Sequence, residues 1–181
     1  VTVIAGIAEQ GRVILGGDSA GVAGYDLTVR SDVKVFSSGA YLFGFAGSFR
    51  AGQLLHWSFQ PPEPPAESTQ LDAFMATTWV DALRSTLADG GAAFDYCGTE
   101  SSSAAFLVGV RGRLLEIDSD FQVGEPADGY AAIGCGAGPA QGALNATAGL
   151  GLTAENRISA ALIAAERHSA GVRGPFTIIS G

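Results

Sequence analysis

The sequence predicts an α+β protein in which two antiparallel β-sheets pack face to face with helices on the outside. Two observations lead there. Strand-like stretches and helix-patterned segments follow in the order strands, two helices, strands, two helices, strand, whereas parallel βαβ winding would alternate more regularly. The 181 residues are 47% hydrophobic and only 15% charged, which suits a single domain over 1–181 with a sizeable core and further faces buried against copies of itself. Chains of this size bury roughly 70% of their unfolded surface.

Each element has its own local signal. Residues 1–8 and 12–17 are apolar around a Gln10-Gly11 turn, which reads as a β-hairpin. Residues 26–36 look extended and lead to Lys34, Ser37-Ser38-Gly39 is a turn, and Ala40 to Ala46 form a buried strand. Ser48 fits a helix N-cap, with Ala51, Leu54, Leu55 and Phe59 on the helix behind it. Pro61-Pro62-Glu63-Pro64-Pro65 excludes helix and central strand and reads as a connector. Thr69-Gln70-Leu71-Asp72 has capping-box form, with Asp in place of Glu. Leu71, Phe74, Met75, Thr78, Ala82, Leu83 and Leu87 then keep helical spacing up to Gly90-Gly91. Strands come next at 103–111 and 113–117, joined at Gly112, and again at 130–134. Pro139 is placed as a first helical residue, for a helix to about Gly149. Thr153 caps a last long helix, and 175–179 closes as a strand.

Composition removes several function classes. A net charge of -8 argues against nucleic acid, whose binders carry a basic face. No apolar run approaches the ~20 residues of a membrane span. No basic-then-apolar leader opens the chain, and a cytoplasmic location is expected. Cys97 and Cys135 make no disulfide framework, and two His and two Cys far apart give no metal-ligand spacing.

Two motifs are decoys. Gly17-Asp18-Ser19-Ala20-Gly21 matches a nucleophile elbow, but only 18 residues precede Ser19, and the stretch after Gly21 is extended and Gly-broken rather than helical. No histidine precedes Ser19 either; the only two are His56 and His168. Gly134-Cys135-Gly136-Ala137-Gly138 looks like a dinucleotide loop, but its third Gly is one residue early, and a tight strand-to-helix turn fits better.

The pattern that carries chemistry is Thr2, Asp18 and Lys34. A threonine that owns a free α-amine carries its own general base, because that amine titrates near pKa 7.7–8.0. A buried lysine beside the hydroxyl favours the alkoxide, and a carboxylate is needed to keep that lysine charged. Lys34 is the single lysine of the chain and lies between Val33 and Val35; Asp18 ends an apolar strand. Polar groups so placed need partners. Gly44 interrupts the strand Leu42-Phe43-Gly44-Phe45, as a glycine does where something approaches the backbone, and its N–H is the expected oxyanion donor. A glycine admitting a packed neighbour is the alternative.

These residues resemble the proteasome β-subunit family, including the bacterial HslV-type protease. Thr2-Val3-Ile4-Ala5-Gly6 resembles its N-terminal catalytic segment, Gly16-Gly17-Asp18-Ser19 its Asp motif, and Val33-Lys34-Val35 its Lys motif. Gly44-Phe45-Ala46-Gly47-Ser48 resembles the oxyanion strand and the turn into the first long helix. Ala132-Ile133-Gly134-Cys135-Gly136 resembles the G-S-G segment with Cys135 for Ser; Glu166-Arg167-His168-Ser169-Ala170-Gly171 resembles D-x-x-S-x-G with Glu166 for Asp. The resemblance implies a four-layer αββα sandwich, the N-terminal-nucleophile hydrolase fold. It also implies peptide-bond hydrolysis by Thr2, with Cys135, Glu166 and Ser169 in support and no cofactor or metal. Stacked rings of identical chains around a chamber, with unfolded protein or peptide as substrate, are implied too. An ATPase unfoldase is a partner the resemblance allows and no motif encodes. Val1 acylates Thr2, so activity requires its removal. An alternative alignment puts Val1 in the nucleophile's place, with one residue inserted at Glu9-Gln10-Gly11, and leaves an inactive scaffold. Thr2 is preferred because Gly6 and Asp18 then align together. A hydrolase of small amides with the same nucleophile is a further alternative.

Overall fold

The computed structural model describes residues 2–181. The chain runs through β1 (Ile4–Glu9), β2 (Arg12–Gly17), β3 (Ala20–Ala23), β4 (Asp26–Val29), β5 (Val35–Ser38) and β6 (Tyr41–Gly47). It continues through α1 (Phe49–Trp57), α2 (Leu71–Phe74), a π-helical turn (Met75–Trp79) and α3 (Val80–Asp89). Then come β7 (Ala93–Tyr96), β8 (Thr99–Ser102), β9 (Ala104–Val110), β10 (Arg113–Ile117), β11 (Val123–Gly124) and β12 (Tyr130–Ile133). The chain closes with α4 (Ala137–Ala146), α5 (Ala154–His168) and β13 (Thr177–Ser180).

Two antiparallel sheets result, one of four strands in the order β12-β1-β2-β13 and one of five in the order β11-β10-β9-β6-β5. Strand alternation sorts their side chains into layers. On β6, Tyr41, Phe43 and Phe45 enter a cluster with Leu54, Leu55, Trp79, Leu83 and Leu87 from α1 to α3. Leu42 and Ala46 face the other way, into a cluster shared with Ile4, Val13 and Leu15 of the second sheet. Val3, just ahead of β1, and Ala5 and Ile7 of β1 pack outward against Ile158, Leu162 and Ala165 of α5. The order of layers is helix, sheet, sheet, helix, as the αββα expectation requires.

Local chemistry accounts for most boundaries. Gln10 and Gly11 both take positive φ, the two-residue hairpin turn, and pin the register Glu9 to Arg12. Ser48 caps α1 by accepting from the Arg50 and Ala51 N–H groups, and Thr153 caps α5 by accepting from Asn156. Other expectations are corrected. Thr69 does not cap: Ser68–Gln70 is a 3-10 turn, and Gln70 instead bonds Glu67 through its side chain. Pro139 is the third helical residue, because α4 starts at Ala137. The stretch before Lys34 is not one extended run. It is the hairpin β3–β4 turning at Gly24 and Tyr25, and then a loop. A second hairpin, β7–β8, turns at Cys97 and Gly98.

Candidate active site

The site forms where the start of β1 meets the end of β2 at one end of the gap between the sheets. Asp18, directly after β2, locks the residue before β1: its Oδ1 accepts from the Val3 N–H at 3.1 Å, and its own N–H donates to the Val3 carbonyl at 3.3 Å. On the other side, the Gly136 N–H donates to the Thr2 carbonyl at 3.2 Å. A Cβ at Gly134 (φ +94) would stand 2.3 Å from the Thr2 carbonyl oxygen. The Gly-Cys-Gly turn is therefore a cradle for the backbone of Thr2, and only glycine fits its first position.

Lys34 closes the site from the loop ahead of β5. Its ammonium has three protons to donate. It places them on Thr2 Oγ1 at 2.7 Å, Asp18 Oδ1 at 2.8 Å and the Ala20 carbonyl at 2.7 Å. Thr2, Asp18 and Lys34 are each at most 2% exposed. Asp18 Oδ2 accepts two further N–H groups, from Ala20 at 3.0 Å and Arg173 at 3.2 Å. Burial pulls the Lys34 ammonium below the ordinary lysine value, and the hydrogen bond and charge of Asp18 pull it back up. The Phe49 ring lies 5.5 Å from the Lys34 Nζ and carries the Arg30 guanidinium at 4.0 Å. An ammonium aimed at a buried hydroxyl oxygen stabilises negative charge there, and a dry surrounding strengthens the effect.

The remaining expected residues divide. The Cys135 Sγ accepts from the Thr2 N–H at 3.3 Å, and Ser169 reaches that sulfur rather than Thr2, its Oγ 3.3 Å from the Cys135 Sγ. Glu166 is turned elsewhere: its Oε1 accepts from the Gly174 N–H at 2.9 Å. Gly44 is the correction with the clearest cause. It lies inside β6, opposite Val35 on one side and Leu107 on the other. Phe45 donates its N–H to the Lys34 carbonyl at 3.1 Å, so alternation directs the Gly44 N–H into the sheet toward β9. What approaches closely is Ile4, whose Cγ2 would be 2.5 Å from a Cβ at Gly44. The packing alternative is the one observed.

Partners of the site that the sequence did not disclose are backbone groups: the Ala20 carbonyl and the Arg173 and Gly136 N–H groups. Ala20 and Gly136 lay in the two motifs read as decoys, and Arg173 in none. Neither decoy survives as such. Ser19 leads into a strand and donates its hydroxyl to the Pro175 carbonyl at 2.6 Å. His56 is stacked on Phe36 and Trp57, and His168 ends α5. The alternative with Val1 as the aligned nucleophile lies outside the described residues. Among the described residues no group of His, Cys, Asp and Glu could hold a metal ion, and no helix is long and apolar enough to cross a membrane.

Solved structures share this layered sandwich. BPH from Thiobacillus denitrificans superposes with a TM-score of 0.83 at 19% identity, over 99% of this chain and 97% of that one. The same protein in complex with epoxomicin gives 0.82 at 19% identity, over 99% and 98%. Eukaryotic HslV from Trypanosoma brucei gives 0.72 at 24% identity, over 99% and 98%. The fold is therefore that of BPH and HslV, end to end. No family model and no curated protein matches the sequence.

Proposed function

We propose that this protein, once Thr2 is its first residue, is a threonine peptidase of the N-terminal-nucleophile kind and a proteasome-type β-subunit that assembles into rings of identical chains. The observation that carries the reading is the buried contact of the Lys34 ammonium with both Thr2 Oγ1 and Asp18 Oδ1. A lysine is buried at such desolvation cost where its charge is used. In the reaction the Thr2 hydroxyl proton passes to the α-amine, directly or through a water, while Oγ1 bonds the peptide carbonyl carbon. Lys34 holds the charge that develops on Oγ1. Collapse of the tetrahedral intermediate breaks the C–N bond, and the amine returns the proton to the leaving nitrogen. Water then hydrolyses the ester by the same route in reverse.

The oxyanion donor proposed in place of Gly44 is Gly47. Two residues beyond Phe45, it presents its N–H on the β5 side of β6, past the first residue of β5, where no strand residue pairs with it. Its φ of +118°, with Ser103 O only 2.5 Å from a Cβ there, explains why it is glycine.

Val1 ahead of Thr2 favours a second reading, an inactive ring subunit in which the amine stays acylated. The test compares the chain carrying Val1 with a chain whose first residue is Thr2, released from a cleavable leader. Hydrolysis of fluorogenic peptides by the second form alone supports the peptidase. No hydrolysis by either form leaves the scaffold.

A further inference from the structure

Glu166 holds a strap rather than the nucleophile. Residues 169–175 run back from the end of α5 across the Asp18–Ser19 corner. Inside the strap, the Val172 N–H donates to the Ser169 carbonyl at 3.2 Å. Toward the corner, Ser19 donates its N–H to the Arg173 carbonyl at 2.8 Å and its hydroxyl to the Pro175 carbonyl at 2.6 Å. In return the Arg173 N–H donates to Asp18 Oδ2. Between these contacts lies Gly174, and its N–H is taken by Glu166 Oε1 from the last turn of α5. A carboxylate-to-amide bond of this kind is a strong one. It fixes the strap to the helix at the residue next to the one that orients Asp18.

We propose that Glu166 is a positioning residue, acting through the strap and the Arg173 N–H to fix the carboxylate of Asp18 against Lys34. The inference takes its catalytic meaning from the peptidase reading, but it concerns geometry that exists without substrate. A loosened strap lets Asp18 rotate away from Lys34, and the buried ammonium then loses its proton more readily. The groups whose charge acts on Lys34 are Asp18, Asp32 and Cys135, and Arg30 shares the Phe49 ring with it.

The single lysine makes this directly measurable. Protein labelled with 13C at lysine Cε gives one resonance, and its pH titration reports Lys34 alone. Glu166→Ala removes the acceptor. Glu166→Asp withdraws it by one methylene, ~1.5 Å, out of reach of Gly174. Glu166→Gln keeps an oxygen acceptor and removes only the charge. The expected result is a midpoint lowered by roughly one pH unit in the Ala and Asp variants and held near the wild-type value in the Gln variant. Equal midpoints in all four proteins would overturn the proposal. So would a Gln variant that falls with the others, which would assign the effect to charge rather than to the tether. A rise toward the ordinary lysine value would report unfolding, and a merely structural Glu166. Because the titration uses no substrate and no free Thr2 amine, a chain that never cleaves a peptide can still pass it.

Discussion

At the scale of the residue, a lysine with no exposed side chain costs stability unless every proton is taken, and Lys34 has all three taken. Its value below that of ordinary lysine sets two pH effects of opposite sign. Activity that needs the ammonium is expected to fall on an alkaline limb below the ordinary ~10.4. Stability should rise over the same window: the unfolded chain holds its lysine proton where the folded chain has released it, so raising the pH favours folding. A pH–rate profile beside pH-resolved urea unfolding checks both, and loss of the two together would assign the limb to unfolding instead. Asp18→Asn strands the ammonium among neutral groups. It is expected to cost on the order of 3–5 kcal/mol in urea unfolding at neutral pH, far more than a surface substitution. The triad was legible because its three members are chemically conspicuous: the only lysine, an aspartate closing an apolar strand and a threonine opening another. The backbone donors and acceptors around them carry no residue signature, and so Ala20 and Arg173 were invisible.

At the scale of the element, the sheet gap decides what each glycine is for. Gly44 was conspicuous as a glycine inside an apolar strand, and sequence alone offered both a functional and a packing reason. The choice depends on which side of β6 faces β1, a long-range fact that no local pattern encodes. Gly44→Ala is expected to lose about 1–3 kcal/mol by driving a methyl into Ile4. Gly142→Ala, in the interior of α4 where a Cβ would meet open space, is expected to gain about 0.5–1 kcal/mol. Chemical unfolding of the two variants checks the contrast, and equal destabilisation would refute the packing assignment. The caps at Ser48 and Thr153 were readable because an N-cap is a short-range rule. The π turn at Met75–Trp79 was not, because Met75 and Trp79 keep an apolar helical spacing whether one turn holds an extra residue or not. The hairpins β3–β4 and β7–β8 escaped for other reasons: Asp26-Leu27-Thr28-Val29 of β4 alternates but is exposed throughout and merged into one extended run over 26–36, and Thr99-Glu100-Ser101-Ser102 of β8 has no apolar residue.

At the scale of the whole molecule, the layering was legible from element order, since strands gathered into blocks between helix pairs leave antiparallel sheets as the simple solution. Which strands join which sheet was not. β13, last in sequence, pairs with β2, and β12 pairs with β1, so the hairpin that carries the site is flanked on both sides by strands from the C-terminal third of the chain. That closure brings α5 and its strap to the Asp18 corner, beside the short threonine segment. The most direct measurement on this arrangement uses protein whose first residue is Thr2, incubated with epoxomicin, the compound bound to the Thiobacillus denitrificans neighbour. Intact mass and peptide mapping are then compared with those of Thr2→Ala and Lys34→Ala proteins. A single adduct on Thr2, absent from the first variant and formed on the order of 10²–10³-fold more slowly in the second, is the predicted result. No adduct on a folded chain with Thr2 exposed, or an adduct that forms as fast without Lys34, would contradict it.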